Sequence, residues 1–258
     1  MKEDPRLQFD QLGYYLCKKV FNQQESNLFE HEFDKIITQI KKGNENPNAR
    51  WGSPLTRKLE KNNSVVIHTH NVQSYSSNML KMIQNKKLLN IVESLIGPDI
   101  ILHHTKLFMK PPKIGAAFPL HQDWSYFPTK KNTMIAAVIH LSDSEEKMGS
   151  LRVIPKSHKF GKIESSDGHT KNKKIHDEYD LKSAHPIRAK KGDVLFFHCC
   201  TIHGSLSNTS MKNRKTILIQ LYSGKDYIID NNNHTNVQLV LKGWNHHARR
   251  NNVENIFS

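Results

Sequence analysis

The sequence changes character at Gly97-Pro98, and that change limits the folds open to it. Upstream, a stretch from about Gln24 to Lys41 carries Leu28, Phe29, Phe33, Ile36, Ile37 and Ile40 near helical spacing. A second helix is expected from about Asn85 to Ile96, with Leu88, Leu89, Ile91, Val92, Leu95 and Ile96 on it and Gly97-Pro98 stopping it. Downstream, Ile100 to Met109, Met134 to Leu141, Leu151 to Ile154, Val194 to His198 and Thr216 to Tyr222 read as strands rich in β-branched and aromatic residues. Met148-Gly149-Ser150 and Lys191-Gly192-Asp193 supply turns between them. Helices first and many short strands after point to a β-sandwich or barrel with helices packed outside. An early segment, Gly13 to Val20, also has β character, whereas residues 43–63 are polar and read as loop. Residues 157–184 are polar and aperiodic, as active-site lids and disordered segments are.

A single domain over residues 1–258 is expected: a helical part to about 97, a β core over about 98–225 and a basic extension from about 226. No apolar run approaches the roughly 20 residues that cross a membrane. The first residues lack the apolar core of a secretory signal, and the last four are not a peroxisomal Ser-Lys-Leu tail. The three cysteines, Cys17, Cys199 and Cys200, are odd in number and form no CxxC, which argues against a disulfide framework or a zinc-thiolate site. A reducing cytoplasm fits. The net charge of +14 suits nucleic acid or an anionic substrate, but the lysines are spread in short clusters such as Lys173-Lys174 and Lys190-Lys191. A solvated basic surface is therefore the preferred reading, with nucleic acid as an alternative. Monomer and homodimer are both open.

The chemistry is concentrated in Pro119-Leu120-His121-Gln122-Asp123-Trp124. On a strand, residues i and i+2 share a face, so His121 and Asp123 would project together. With 16 histidines, a His-x-Asp arises by chance about once, so the tripeptide alone is a weak signal. A second segment strengthens it: His203-Gly204-Ser205 follows the apolar run Val194 to Phe197, and Arg214 comes eleven residues after His203. Two histidines and one carboxylate on three corners of an octahedron leave positions free for reactants, the pattern of non-haem Fe(II) oxygenases. If the strands carrying His203 and Arg214 are antiparallel neighbours, the planar guanidinium reaches back to hold a carboxylate by both oxygens, with the Ser205 hydroxyl beside it. Taken singly, Arg214 is one more cation in a basic surface turn.

Four ordered blocks carry a family resemblance: Gly97 through His104-Thr105-Lys106 to Pro112; Pro119 through His121-Gln122-Asp123 to Pro128; Gly149 to Lys159; and Gly192 through His203-Gly204-Ser205 to Arg214-Lys215. Over about Gly13 to Lys225 the chain resembles the phytanoyl-CoA dioxygenase family of Fe(II)/2-oxoglutarate-dependent oxygenases. The resemblance implies a mostly β fold, the double-stranded β-helix or cupin-like jelly roll, with the N-terminal helices outside. It implies Fe(II) on His121, Asp123 and His203, 2-oxoglutarate held through Arg214 and Ser205, O2 as oxidant, and release of succinate and CO2 as a small organic substrate is hydroxylated. Related halogenases lack the carboxylate that Asp123 supplies, so oxygenation is expected over halogenation. Lys106, Thr105, Gln122, Trp124 and Tyr126 are candidates for the cosubstrate or substrate pocket. Departures also show: Thr69 and Ile139 align where members near the mammalian enzymes carry a lysine and a tryptophan beside the cosubstrate, and Lys106 stands where many have Met.

Other residues stay in view. His68, His70, His103 and His104 look like ligands but lack carboxylates at matching spacing. His198 reads as a polar core residue, and Cys199-Cys200 as small and buried. Alternatives to a small-substrate hydroxylase are an acyl-CoA 2-hydroxylase in the strict sense, a metal-binding jelly roll without oxygenase activity, and a nucleic-acid-directed oxygenase.

Overall fold

Two antiparallel sheets face each other, and helices cover the far side of the larger one. The computed structural model describes residues 4–169, 172–229 and 236–249. The chain runs α1 (Pro5–Leu12), β1 (Tyr14–Cys17), α2 (Gln23–Lys42), β2 (Ile67–His70), α3 (Ser77–Ile83), α4 (Lys86–Ile96), β3 (Ile100–Lys110), β4 (Phe118–His121) and β5 (Ile135–His140). It continues through β6 (Leu151–Val153), α5 (Lys173–His176), β7 (His185–Pro186), β8 (Val194–His198), β9 (His203–Ser205), β10 (Arg214–Ser223) and β11 (Leu239–Lys242). The large sheet has the order β1-β8-β5-β10-β3-β11, with β2 also paired to β3; the small sheet has the order β4-β9-β6-β7. This is the jelly roll with outer N-terminal helices. Among the described residues, no helix is long and apolar enough to cross a membrane.

The helices form where the apolar spacing puts them. An Asn22–Glu25 capping box starts α2, whose Phe29, Phe33, Ile36, Ile37 and Ile40 are buried. Asn85 caps α4, and Leu88, Leu89, Val92 and Leu95 form its inward face. These faces pack on Leu107 and Met109 of β3, Ile135, Ala137 and Ile139 of β5, Val194 and Phe196 of β8, and Ile217, Ile219 and Leu221 of β10. Each such side chain, fully buried, contributes about 1.5–3 kcal/mol over leaving it exposed. Alternation then sends the intervening residues the other way, toward the small sheet. Hence Lys106, Phe108, Thr216 and Leu218 line the space between the sheets.

One irregularity changes the phase. The β3–β10 pairing passes from Gln220↔His104 to Leu221↔Leu102, so His103 is an extra residue in β3. The bulge buries His103 and His104 together, their Nδ1 atoms 2.6 Å apart. The shared burial is thus a consequence of the strand's kink, and the pair belongs to neither of the two groups among the described residues that could hold a metal.

Several short elements escape the apolar patterning: α1, which buries only Phe9, and α3, β4, β7, β9 and β11. Part of the expected basic extension is a strand instead: β11 pairs with β3, and the Trp244 amide and His246 ring bond to Asp99. Residues 230–235 and 250–258 of that extension lie outside the described residues.

Candidate active site

The small sheet brings His121, Asp123 and His203 together. His121 ends β4 and pairs with His203, the first residue of β9. Asp123 lies beyond the strand and opens a 3-10 turn over Asp123–Ser125. The expected strand alternation is therefore not what joins it to His121; the turn carries the carboxylate back toward both rings. Asp123 Oδ1 lies 3.8 Å from His121 Nε2 and 3.6 Å from His203 Nε2. All three side chains are at least nine-tenths buried.

The backbone fixes which ring nitrogen is available. His121 Nδ1 donates to the Pro119 carbonyl at 2.8 Å, and His203 Nδ1 donates to the Thr201 carbonyl at 2.9 Å. A carbonyl only accepts, so each ring carries a proton on Nδ1, which leaves its Nε2 facing Asp123 Oδ1. Burial, with His203 and Lys106 nearby, holds the His121 pKa well below its ordinary value and keeps the ring neutral. Asp123 Oδ2 accepts a 2.6 Å hydrogen bond from Gln220 Nε2, leaving Oδ1 as the inward atom. Two imidazole nitrogens and one carboxylate oxygen converge within 4.8 Å of one another, a donor set that fits a divalent iron ion with further positions to spare.

The triad opens onto a cavity of about 320 Å³ between the sheets. At one end Ser205 extends from β9, on the same face as His203, and Arg214 starts β10. β9 and β10 belong to different sheets, so Arg214 and Ser205 line the same cavity from opposite layers and not as residues of neighbouring strands. The guanidinium is buried, donates to the Gly149 carbonyl, and has an unpartnered Nε; burial lowers its pKa to about 10. Among the described residues, no carboxylate forms an ion pair with it. Lys110 pairs with Arg214 in the β3–β10 register. Its fully buried Nζ donates to Ser205 Oγ and to the Leu206 carbonyl, each at 2.7 Å. Burial, with Arg214 adjacent, pulls the Lys110 pKa well down. Burial and Arg214 also lower His140 to about 4, so this neighbour stays neutral. A desolvated cation without a counter-charge is a place for an anion.

The five pocket candidates divide. Lys106 and Tyr126 line the cavity. Thr105 does not: it falls on the opposite face of β3, accepts from the Val72 amide and donates to Gln73. Gln122 is fully buried outside the cavity, bonding to Gly161, Cys200, Ile163 and Ser166. Trp124 turns away into a cluster with Phe127, Cys199 and Cys200, with Lys162 over its ring. Gln122, still extended, follows the inward His121 and so faces the other way, while the 3-10 turn over Asp123–Ser125 takes Trp124 off the strand. Thr69 and Ile139 also face away. Thr69 bonds to Tyr75, and Ile139 is in the core under the helices.

Residues not singled out as pocket-forming complete the site: Gln220, Lys110, His140, Trp51 and His169. His68 and His70 of β2 line the cavity as well. Trp51 comes from the polar 43–63 segment, where one aromatic among polar residues gives no periodic signal. Its ring lies 4.8 Å from that of His121 and stacks on His169 at 4.7 Å. Gly168, at φ +72°, lets the second loop settle there: a Cβ would meet Trp51 and Pro119 at 2.8 Å. Residues 43–63 and the described part of 157–184 thus meet over His121; residues 170 and 171 lie outside the described residues.

A model of the family described as phytanoyl-CoA dioxygenase matches residues 9–216. The peroxisomal phytanoyl-CoA dioxygenase of Bos taurus is 28% identical over 240 residues, covering 86% of this chain and 68% of the relative. A probable alpha-ketoglutarate-dependent hypophosphite dioxygenase of Stutzerimonas stutzeri is 26% identical over 213 residues, covering 78% and 74%. The epimerase SnoN, solved with Fe3+, alpha ketoglutarate and nogalamycin RO, shares the fold at a TM-score of 0.71 and 15% identity, covering 92% of this chain and 97% of that one. With more than half of its length matched by the family model, the chain belongs to the phytanoyl-CoA dioxygenase family of iron- and 2-oxoglutarate-dependent oxygenases.

Proposed function

We propose that His121, Asp123 and His203 hold the ferrous ion of this dioxygenase, that Arg214 and Ser205 receive the distal carboxylate of 2-oxoglutarate, and that a small organic substrate is hydroxylated in the adjoining chamber. The observation that carries this reading is the pairing of two Nε2 atoms and one carboxylate oxygen with a buried, unpaired guanidinium in the same cavity. Iron bound there supplies the activation of O2, coupled to decarboxylation of 2-oxoglutarate to succinate and CO2.

The chain's own residues do the positioning. Gln220 holds Asp123 Oδ2, so Oδ1 alone is presented with the two imidazoles. Lys110 donates to Ser205 Oγ, so the Ser205 proton is free to point at the carboxylate beside Arg214. A charge-assisted fork from Arg214 fixes the orientation of the cosubstrate. Leu151, paired with Ser205, supplies apolar surface at this end, and Val138, Leu218 and Phe197 continue it toward the triad. The retained carboxylate of Asp123 favours oxygenation over halogenation. A cavity of about 320 Å³ sits at the small end of ligand sites and must admit the cosubstrate too, which supports a small substrate over a whole acyl-CoA. Three free cysteines accord with a reducing, cytoplasmic setting.

Anaerobic protein titrated with Fe(II) and 2-oxoglutarate should develop a weak visible charge-transfer band. Arg214→Ala should weaken 2-oxoglutarate binding by about 30-fold or more, as expected for losing one side of a buried charge pair worth ~2–5 kcal/mol, while iron affinity stays within a few-fold. No band, together with no O2-dependent succinate release across a screen of acyl-CoAs, amino acids and phosphonates, would overturn the reading. Unchanged cosubstrate affinity in Arg214→Ala would remove Arg214 from its role.

A further inference from the structure

The cavity has two cationic places, and the proposed cosubstrate site uses one. Arg214 and Lys110 pair at one end of the β3–β10 ladder. Lys106 lies four residues along β3, beside Leu218 of β10 and His70 of β2. At about 3.3 Å per residue the backbone positions of Lys106 and Lys110 are about 13 Å apart along the strand. The terminal carbons of 2-oxoglutarate, four C–C bonds apart, are separated by about 5 Å. A cosubstrate running from Arg214 to the triad therefore cannot also stretch its distal carboxylate to Lys106.

Lys106 has lost most of its water without gaining a counter-ion. Burial lowers its pKa to about 8, with Asp123 acting in the opposite direction. Among the described residues no carboxylate forms an ion pair with it, and its ammonium rests 4.9 Å from the centre of the Phe127 ring. Asp123, the one acid among the described cavity-lining residues, is held by Gln220 and faces the two imidazoles. The chamber around Lys106 is built from His68, His70, Trp51, Phe108 and Tyr126, which offer polarisable and aromatic walls but no negative charge. A desolvated ammonium lining such a chamber is most stable when an anion enters beside it.

Resting on the oxygenase reading of the same site, we propose that Lys106, with His70 alongside, receives an oxyanion of the substrate, so that the enzyme acts on small organic carboxylates or phosphonates whose apolar body lies against Trp51, Phe108 and Tyr126. The anion fixes one end of the molecule beside the triad and presents its carbon skeleton to the metal. A thioester, whose reacting end is neutral, offers Lys106 a carbonyl to accept a hydrogen bond but no counter-charge.

The test uses phenylacetate, benzylphosphonate and the neutral phenylacetamide as probes, titrated by calorimetry into anaerobic protein saturated with Fe(II) and 2-oxoglutarate. The wild type should bind at least one of the anions ten-fold or more tighter than the amide. Lys106→Met, similar in length and uncharged, should erase most of that preference while changing amide affinity less than about two-fold, and Lys106→Arg should restore part of it. Which anion binds tighter distinguishes a carboxylate from a phosphonate site. Equal binding of amide and anions, no binding of either anion, or a preference that survives in Lys106→Met overturns the proposal. So does a Lys106→Met variant whose main loss is in 2-oxoglutarate affinity, since that places Lys106 on the cosubstrate. The heat signal does not require the iron band: a missing band fails the oxygenase reading, whereas a missing charge preference fails this one.

Discussion

Gln220 does for Asp123 what the Pro119 and Thr201 carbonyls do for the histidines: it uses one atom of the group and leaves the other directed inward. Replacing it by leucine keeps the volume and removes the hydrogen bond. Gln220→Leu should lower iron affinity by about 10- to 100-fold, the usual cost of losing an outer-sphere partner, measured by Fe(II) titration against a competing chelator. Unchanged affinity would mean that Asp123 is oriented by packing alone. The inward cluster was legible in the sequence because His121, Asp123, His203, Ser205 and Arg214 stand in order at the right intervals. Gln220 was not, because an amide in an apolar strand has no partner until β10 is placed under the small sheet. Thr105, Gln122 and Trp124 were misread for a related reason. Immediate neighbours of an inward residue on a strand face the other way, as Thr105 does beside Lys106 and Gln122 beside His121, and the 3-10 turn at Asp123 carries Trp124 off the strand.

Among the elements, long helices and central strands follow directly from apolar spacing, and their predicted bounds lie within a few residues of those found. The short β4, β7 and β9 carry too few residues for a period to show, although two of them hold the triad histidines. The loops are the least legible part, since their contacts depend on single residues such as Trp51 and Gly168. Gly168 has a positive φ and no room for a Cβ between Trp51 and Pro119. Gly168→Ala should lift its loop off Trp51, raising the KM for the substrate several-fold with little change in iron binding, and should speed proteolysis within residues 157–184. Steady-state kinetics and limited digestion check both; an unchanged KM would show that this loop takes no part in substrate retention.

For the whole molecule, the division of labour between sheets means that metal and cosubstrate sites depend on how the two layers sit. Asp226, just past β10, ties the end of that strand to the β4–β5 connection. Its carboxylate accepts from the Lys131 and Thr133 amides at 2.9 and 3.1 Å and from the Thr133 hydroxyl at 2.7 Å. Burial alone would raise its pKa, but these hydrogen bonds outweigh burial and the net shift is downward. A depressed folded pKa contributes stability above the unfolded value of about 4, and that contribution is lost as pH falls through the folded one. Asp226→Asn should lower the Tm at pH 7 by about 3–8 °C, for a loss of ~1–3 kcal/mol. Its deficit against wild type should shrink toward pH 3. A deficit independent of pH would show that shape, not charge, is what Asp226 provides.

β2 has a further consequence. It is a four-residue edge strand, laddered to β3 and touched on its other side by a single bridge between Asn48 and Ile67. Yet its alternate residues, His68 and His70, form one wall of the chamber. Their rings touch each other, Phe108 and His104 near the chamber, while His121, His203 and Arg214 stand on other strands of the barrel. Descendants of this chain could therefore acquire new diets by drifting at two positions, without passing through forms that have lost iron. A library randomised at 68 and 70 is the natural starting point for directed evolution of its selectivity.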